Sequence, residues 1–176
     1  MLRDAAVAVI RLVSAEFHPE PHYLILRRAV SPLDPWSGHF AFPGGRREPE
    51  DADLLAACLR ETREECGLDL TFARLIATLP VTEAGNALGR PVSVTPYLFE
   101  LATRQEVTLD PRECAGFHWV STSHLRDPGN RVSFAPLPGN DRRFPGIRLD
   151  DGVVWGFTYK VLTGVVGKSL EGNSEL

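Results

Sequence analysis

Glu61, Glu64 and Glu65 sit in a segment, Ala52 to Cys66, whose inward positions Leu55, Leu59, Thr62 and Cys66 recur at spacings of four, three and four. That period predicts a helix, and at 100° per residue the three carboxylates share a sector of roughly 100° beside the buried stripe. Such crowding is unfavourable by itself. Each like-charge pair at i,i+3 or i,i+4 costs an isolated helix about 0.2–0.5 kcal/mol, and acids in the last turns oppose the helix dipole by about 0.3–1 kcal/mol more. Two readings fit that cost. A solvated acidic face would be offset by Arg60, at i,i+4 from Glu64, and by Arg63. Alternatively, oxygen ligands of this kind hold a hard cation such as magnesium. Gly44-Gly45, just upstream, lets the backbone approach a ligand closely, so that a loop carbonyl can join the carboxylates.

The elements that must position these groups read as strands and helices in alternation. Ala5 to Ser14 and Tyr23 to Arg28 are rich in Val, Ile and Leu and are separated by His18-Pro19-Glu20-Pro21, which predicts two paired strands. After a loop containing Pro32, Asp34, Pro35 and Gly38, His39 to Phe42 is a short strand that stops at Pro43-Gly44-Gly45. Gly67 caps the acidic helix. Further strands are predicted over Ala73 to Pro80, Val92 to Leu101 and Phe117 to Val120. A last helix is predicted over Trp155 to Val166, with Trp155, Tyr159, Leu162 and Val166 inward. Leu125 to Asp151, rich in Pro, Gly and Asn, reads as a long substrate-side loop or lid.

With 176 residues, 43% hydrophobic and 24% charged, the expectation is one mixed α/β domain over residues 1–176, its polar end from about 168 frayed. A net charge of -4 offers no general attraction to nucleic acid or an anionic membrane, so a phosphate-bearing ligand must be met by local cations. Cys58, Cys66 and Cys114 are odd in number and form no CxxC pair, which fits the reducing cytoplasm and argues against zinc or a disulfide framework. No run approaches the roughly 18 apolar residues of a membrane span.

Gly44-Gly45 followed by Arg60-Glu61-Thr62-Arg63-Glu64-Glu65-Cys66-Gly67-Leu68 resembles the Nudix box. The second half meets every fixed position of that signature, with Thr62 where an aliphatic residue is usual. In the first half, one extra residue separates Gly45 from Arg60. Counting back from Arg60 puts Ala52 at the central glutamate position, among Glu48, Glu50, Asp51 and Asp53. The longer loop is similar to the coenzyme A pyrophosphatase branch, in which an acid follows the two glycines at the place of Glu48. The resemblance implies a Nudix α/β/α sandwich over about Val7 to Val166, with a mixed central sheet and the box folded as loop, helix, loop. It implies Mg2+ (or Mn2+) held by Glu61, Glu64, Glu65 and the Gly45 carbonyl, with Arg60 orienting Glu64. The implied reaction is hydrolysis of a diphosphate X–P–O–P–Y by metal-activated water, with Glu61 or Glu65 open as the base. Related enzymes often place an extra acid where Glu113 stands, ahead of a strand ending Trp119-Val120.

Leu24 to Arg28 and Gly38 to Gly45 are similar to an extension of the coenzyme A pyrophosphatases, with Leu33, Gly38, Ala41 and Phe42-Pro43 in register. Asp34 replaces its arginine, Trp36 its histidine and Phe40 its valine. The implied substrate is a nucleoside-diphosphate-linked molecule, coenzyme A or its derivatives included. ADP-ribose or a nucleoside diphosphate sugar is the alternative substrate, and a nucleotide-sensing module without turnover is the alternative outside enzymes. Arg27, Arg28, Trp36 and Gly44 are the expected substrate-binding residues. Arg27 and Arg28 read equally as the basic end of an edge strand, Trp36 as a ring packed on the core, and His39 and His118 as ordinary strand residues. Trp155-Gly156-Phe157-Thr158 resembles a stretch of the same branch, where packing of the last helix is the simplest role. Neither nucleic acid nor membrane is an expected partner, and the frequency of Nudix dimers leaves a homodimer open.

Overall fold

The computed structural model describes residues 4–14, 20–31, 36–85, 89, 91–136 and 141–168. In chain order its strands are β1 (Asp4–Leu12), β2 (His22–Arg28), β3 (Phe40–Ala41), β4 (Gly44–Arg46), β5 (Arg74–Thr78), β6 (Thr82–Ala84), β7 (Val92–Leu101), β8 (Cys114–Ser121), β9 (Arg131–Phe134), β10 (Phe144–Leu149) and β11 (Gly152–Trp155). Its helices are α1 (Leu54–Cys66), α2 (Thr122–Arg126) and α3 (Gly156–Lys168). The expected turn at His18-Pro19, the loop residues Pro32 to Pro35 and the polar end beyond Lys168 lie outside the described residues.

The main sheet is mixed and is built around β1. That strand runs parallel to β7 along its whole length, from Asp4 opposite Ser93 to Leu12 opposite Leu101. Its other edge is divided between β4, antiparallel through Ala5 to Val7, and β2, antiparallel at Arg11 and Leu12. β3 and β8 pair with β2, while β5 and β6 pair with β7.

Successive side chains alternate across a strand, and here each parity meets a different helix. Ala6, Ala8, Ile10, Leu24 and Leu26 face Cys58 and Cys66 of α1. Val9, Tyr23 and Ile25 face Leu162 and Val165 of α3, together with Ile147 and Val154 of a second, three-stranded sheet, β9-β10-β11. The expected α/β/α layering is therefore present, with a sheet buried on both faces as parallel pairing favours.

Helix α1 starts at Asp53, whose side chain accepts the Ala56 N–H at 2.8 Å, and stops at Gly67, left-handed at φ 72°, whose N–H donates to Arg63 O. Thr62, fully buried where the Nudix pattern has an aliphatic residue, donates its hydroxyl to Cys58 O at 2.7 Å and so leaves no polar group unsatisfied.

Four expectations are corrected. Leu125 to Asp151 is not a long loop: it carries the end of α2 and the strands β9 and β10. Its Gly and Pro residues masked the strand pattern, because Gly146 lies where Val153 packs directly on the backbone and any Cβ would collide with it. The last helix begins at Gly156, at φ 62°, and Trp155 ends a strand instead. The strand expected over Phe117 to Val120 extends from Cys114 to Ser121. The stretch from Ala73 to Pro80 gives only β5, with β6 beginning just beyond it.

Leu162 is fully buried between α3 and both sheets, whereas Phe72 is 87% exposed. Leu162→Ala should therefore cost about 2–5 kcal/mol and Phe72→Ala no more than about 0.5 kcal/mol, measured by denaturant unfolding.

Candidate active site

The glycine pair is where sheet and helix meet. Gly44 has φ 143°, and a Cβ there would overlap the Ala6 carbonyl of the neighbouring strand. Only glycine lets β4 lie this close to β1. The Gly44 N–H donates to Glu65 Oε2 at 2.9 Å. At Gly45 a Cβ would lie 2.5 Å from the carboxyl carbon of Glu61, so this glycine is the floor against which Glu61 rests.

A third acid arrives from the turn ahead of β8, where Glu113 O accepts the Ala29 N–H at 2.7 Å. Thr108 and Asp110 donate their backbone N–H groups to Cys66 O and Glu65 O, both at 3.0 Å, satisfying carbonyls at the helix end. Asp110 O then accepts the Glu113 N–H at 3.1 Å and fixes the turn that presents Glu113. Glu61, Glu65 and Glu113 thereby offer oxygens within 4.8 Å of one another.

The electrostatics follow from burial. Glu65 is 5% exposed, and burial pushes its carboxyl up to about 7; the Gly44 N–H and the positive charge of Arg28 oppose the shift, while Glu61 and Glu113 add to it. Glu61 is raised too, by burial first, with Arg60 opposing. Three oxygen donors with compressed negative charge and a glycine floor fit a hard divalent cation, which would relieve the repulsion.

Arg60 is the hub behind this group. Its Nε and Nη2 form a two-pronged bond with Asp51, at 3.0 and 2.9 Å, and Nη1 reaches both Glu61 Oε1 and Glu64 Oε2 at 3.0 Å. Nη2 also donates to Arg46 O at 3.2 Å. The bonds from Arg60, then the Glu48 N–H, hold the buried Asp51 carboxyl down at about 2. Asp51 thus occupies the acidic position that counting back from Arg60 had put at Ala52. Counting forward from Gly45 reaches it, and the extra residue falls between Asp51 and Arg60. Arg60 does orient Glu64, but Glu64 is 56% exposed at its side chain and stands outside the group of three.

A cavity of about 500 Å3 opens beside the glycines, lined among others by Arg28, Trp36, Arg46, Phe144, Trp155 and Phe157. Arg28 and Trp36, two of the expected substrate-binding residues, line it. Arg27 does not: opposite in strand parity, it forms an ion pair with Asp151 at 2.8 Å and lies over the Phe40 ring. Parity along β2 puts Arg28 on the α1 face with Leu24 and Leu26, beside Glu65, and Arg27 on the opposite face. Gly44 borders the cavity, with its N–H committed to Glu65. His39 also lines the cavity, while His118 bonds Asp151 at 2.8 Å. Arg46 and Phe144 escape selection because no spacing rule singles them out, and Asp51 because the inserted residue displaces the count back from Arg60.

The NUDIX domain family model matches residues 2–138, and the chain belongs to that family. Nudix hydrolase NudL of Cronobacter sakazakii is 39% identical over 82 residues, covering 47% of this chain and 40% of that protein. Protein C14C4.10c of Schizosaccharomyces pombe is 44% identical over 112 residues, covering 61% of this chain and 34% of that protein. The matched region thus spans well under half the length of either relative. Among solved structures, the Ap4A hydrolase of C. elegans in a binary complex shares 25% identity at a TM-score of 0.54, over 69% of this chain and 82% of that one. A MutT/nudix family protein from Enterococcus faecalis shares the fold at a TM-score of 0.66 and 13% identity, over 97% of this chain and 63% of that one. So does the NUDIX domain of Shewanella oneidensis NrtR, complexed with ADP ribose, at 0.55 and 15% identity, over 70% of this chain and 75% of that one.

Among the described residues no helix is long and apolar enough to cross a membrane. Cys58, Cys66 and Cys114 are buried free thiols, each pushed up to about 12 by burial.

Two outcomes test this geometry. Gly45→Ala should displace Glu61 and weaken Mg2+ or Mn2+ binding roughly 10–100-fold, read by titration calorimetry, while the fold survives because Gly45 has no positive φ. The second concerns pH. Because the Glu65 carboxyl is raised from 4.5 to about 7, its contribution to stability is full below 4.5 and is lost as pH rises through about 7. Asp51 and Asp110, both lowered to about 2, change only below about 4. Metal-free protein should therefore unfold at lower denaturant at pH 8 than at pH 5.5, with Mg2+ closing the gap and Glu65→Gln removing much of it.

Proposed function

We propose that the chain hydrolyses a nucleoside-diphosphate-linked substrate, X–P–O–P–Y, at the Glu61, Glu65 and Glu113 cluster with Mg2+ or Mn2+ bound. The observation that carries this reading is the convergence of those three carboxylates, with Glu61 against Gly45 and Glu65 bonded to the Gly44 N–H, where these two glycines border a cavity. Glu61, Glu65 and Glu113 are the residues that would hold the ion, with the Gly45 carbonyl and Glu64 as further ligands at the rim. A divalent cation there supplies neutralisation of the diphosphate charge and a lowered pKa for water.

Arg60 fixes the side chains of Glu61 and Glu64. Arg46 follows directly on Gly45, and its backbone is held by Arg60. Its guanidinium, with that of Arg28, meets the diphosphate. The exposed Glu113 takes the proton as the water oxygen bonds to one phosphorus and the bridging oxygen leaves with the other phosphate. Trp36, Phe144 and Trp155 give an aromatic, apolar wall for a nucleoside base.

Coenzyme A and its acyl derivatives head the substrates, on the likeness of the Leu24 to Arg28 and Gly38 to Gly45 segments to that branch. ADP-ribose, nucleoside diphosphate sugars and Ap4A form the comparison set. With Mg2+, at least one should be cleaved at the P–O–P linkage, coenzyme A giving phosphopantetheine by mass spectrometry. Glu65→Gln and Glu113→Gln should each lower kcat/KM roughly a hundredfold or more in protein that remains folded by circular dichroism. Wild-type protein that binds these nucleotides and cleaves none is a sensing module, and the proposal fails.

A further inference from the structure

Asp151 stands at the turn between β10 and β11, the strands whose ends carry Phe144 and Trp155 into the cavity wall. Its two carboxylate oxygens are divided between different strands of the main sheet: Oδ2 takes Arg27 Nη1 of β2 at 2.8 Å, and Oδ1 takes His118 Nε2 of β8 at 2.8 Å. Phe40 of β3 fills the space enclosed. The Arg27 guanidinium lies 5.9 Å from its ring centroid, and the His118 ring meets it edge-on at 5.5 Å. Gly152, next to Asp151, sits so tightly on the Phe40 ring that a Cβ would come within 2.8 Å of it. From the start of α3, Thr158 donates its hydroxyl to Phe40 O at 3.1 Å. Phe40 in turn lies four residues ahead of Gly44 on the same short segment.

We infer that Asp151 is a positioning residue, the catch that registers the aromatic wall of the cavity against the glycine loop, with Arg27 and His118 as its two anchors. The inference deepens the proposed function and rests on it for its kinetic reading. Arg27 then has no phosphate to meet: its charge is spent on Asp151, it does not line the cavity, and its parity directs it away from Glu65. All three side chains are partly exposed, at 36%, 42% and 29%, so the pairs add little to global stability. Their effect is local. The buried contacts of Ile147 and Val154 with the main sheet remain when the catch is lost, so the wall is freed without unfolding the core.

The test is a double-mutant cycle on Asp151→Ala and Arg27→Ala, with His118→Ala as a third single variant. Hydrogen–deuterium exchange over residues 144–155 should quicken about tenfold in each, with α1 unchanged. KM for nucleotide diphosphates should rise about three- to tenfold with kcat within about twofold, and the double variant should be no worse than either single one. Unchanged exchange in Asp151→Ala overturns the inference. So does an Arg27→Ala defect in kcat that adds to that of Asp151→Ala, which would place Arg27 on the phosphate. Exchange is read without substrate, so a wild type that cleaves no nucleotide diphosphate strikes the proposed function and leaves the catch to be decided by exchange alone.

Discussion

Repulsion among carboxylates is the constraint on which the molecule turns. Two unit charges at 4.8 Å repel by roughly 3 kcal/mol at an effective dielectric of about 20, several times the cost of an acidic pair on a helix surface. Burial compounds this at Glu65, which responds by holding a proton near neutral pH. The surroundings are arranged to sustain that tension rather than release it. Gly44 gives Glu65 a backbone donor, Gly45 confines Glu61 from below, and the Asp110 turn brings Glu113 in from behind. Arg60 could have neutralised the cluster, yet two of its donors are committed to Asp51. Its remaining donor reaches Glu61 at 3.0 Å, so Arg60 offsets part of the charge at that acid and makes no hydrogen bond to Glu65.

The same economy explains the sheet. A glycine at φ 143° is needed because β4 must squeeze against β1 to bring a backbone N–H to Glu65. Parity along β2 then divides two consecutive arginines between two tasks. Arg28 lies on the α1 side, where its charge acts on Glu65, whereas Arg27 lies on the α3 side and holds the second sheet. One step along a strand separates a residue facing the chemistry from one facing the scaffold.

Much of this was legible in the sequence, and the parts that were not share a cause. Helix α1, its cap at Gly67, the paired strands β1 and β2, and the strand running into Gly44-Gly45 all follow from local periodicity and turn chemistry. Glu61 and Glu65 could be placed because i,i+4 spacing on a helix is fixed geometry. Glu64 shares that sector, but its side chain is 56% exposed, bonds Arg60 and stands outside the cluster, which helix spacing alone does not decide. Asp51 was hidden by a single inserted residue: the count back from Arg60 misses it, the count forward from Gly45 reaches it, and the Arg60 contact shows that this acid fills the position. Phe144 and β9 to β11 were missed because short strands interrupted by Gly and Pro carry almost no period of their own. Their pairing is set by contact with α3 and the main sheet, which no window of local sequence contains.

The central claim is that the glutamate cluster is a divalent-cation site. A crystal of the protein soaked in Mn2+ and measured for anomalous scattering tests it most directly. The account predicts a peak within coordination distance of carboxylate oxygens from Glu61, Glu65 and Glu113 and of the Gly45 carbonyl. A soaked crystal with no peak there, its three carboxylates bound to nothing but water and Arg60, would contradict it.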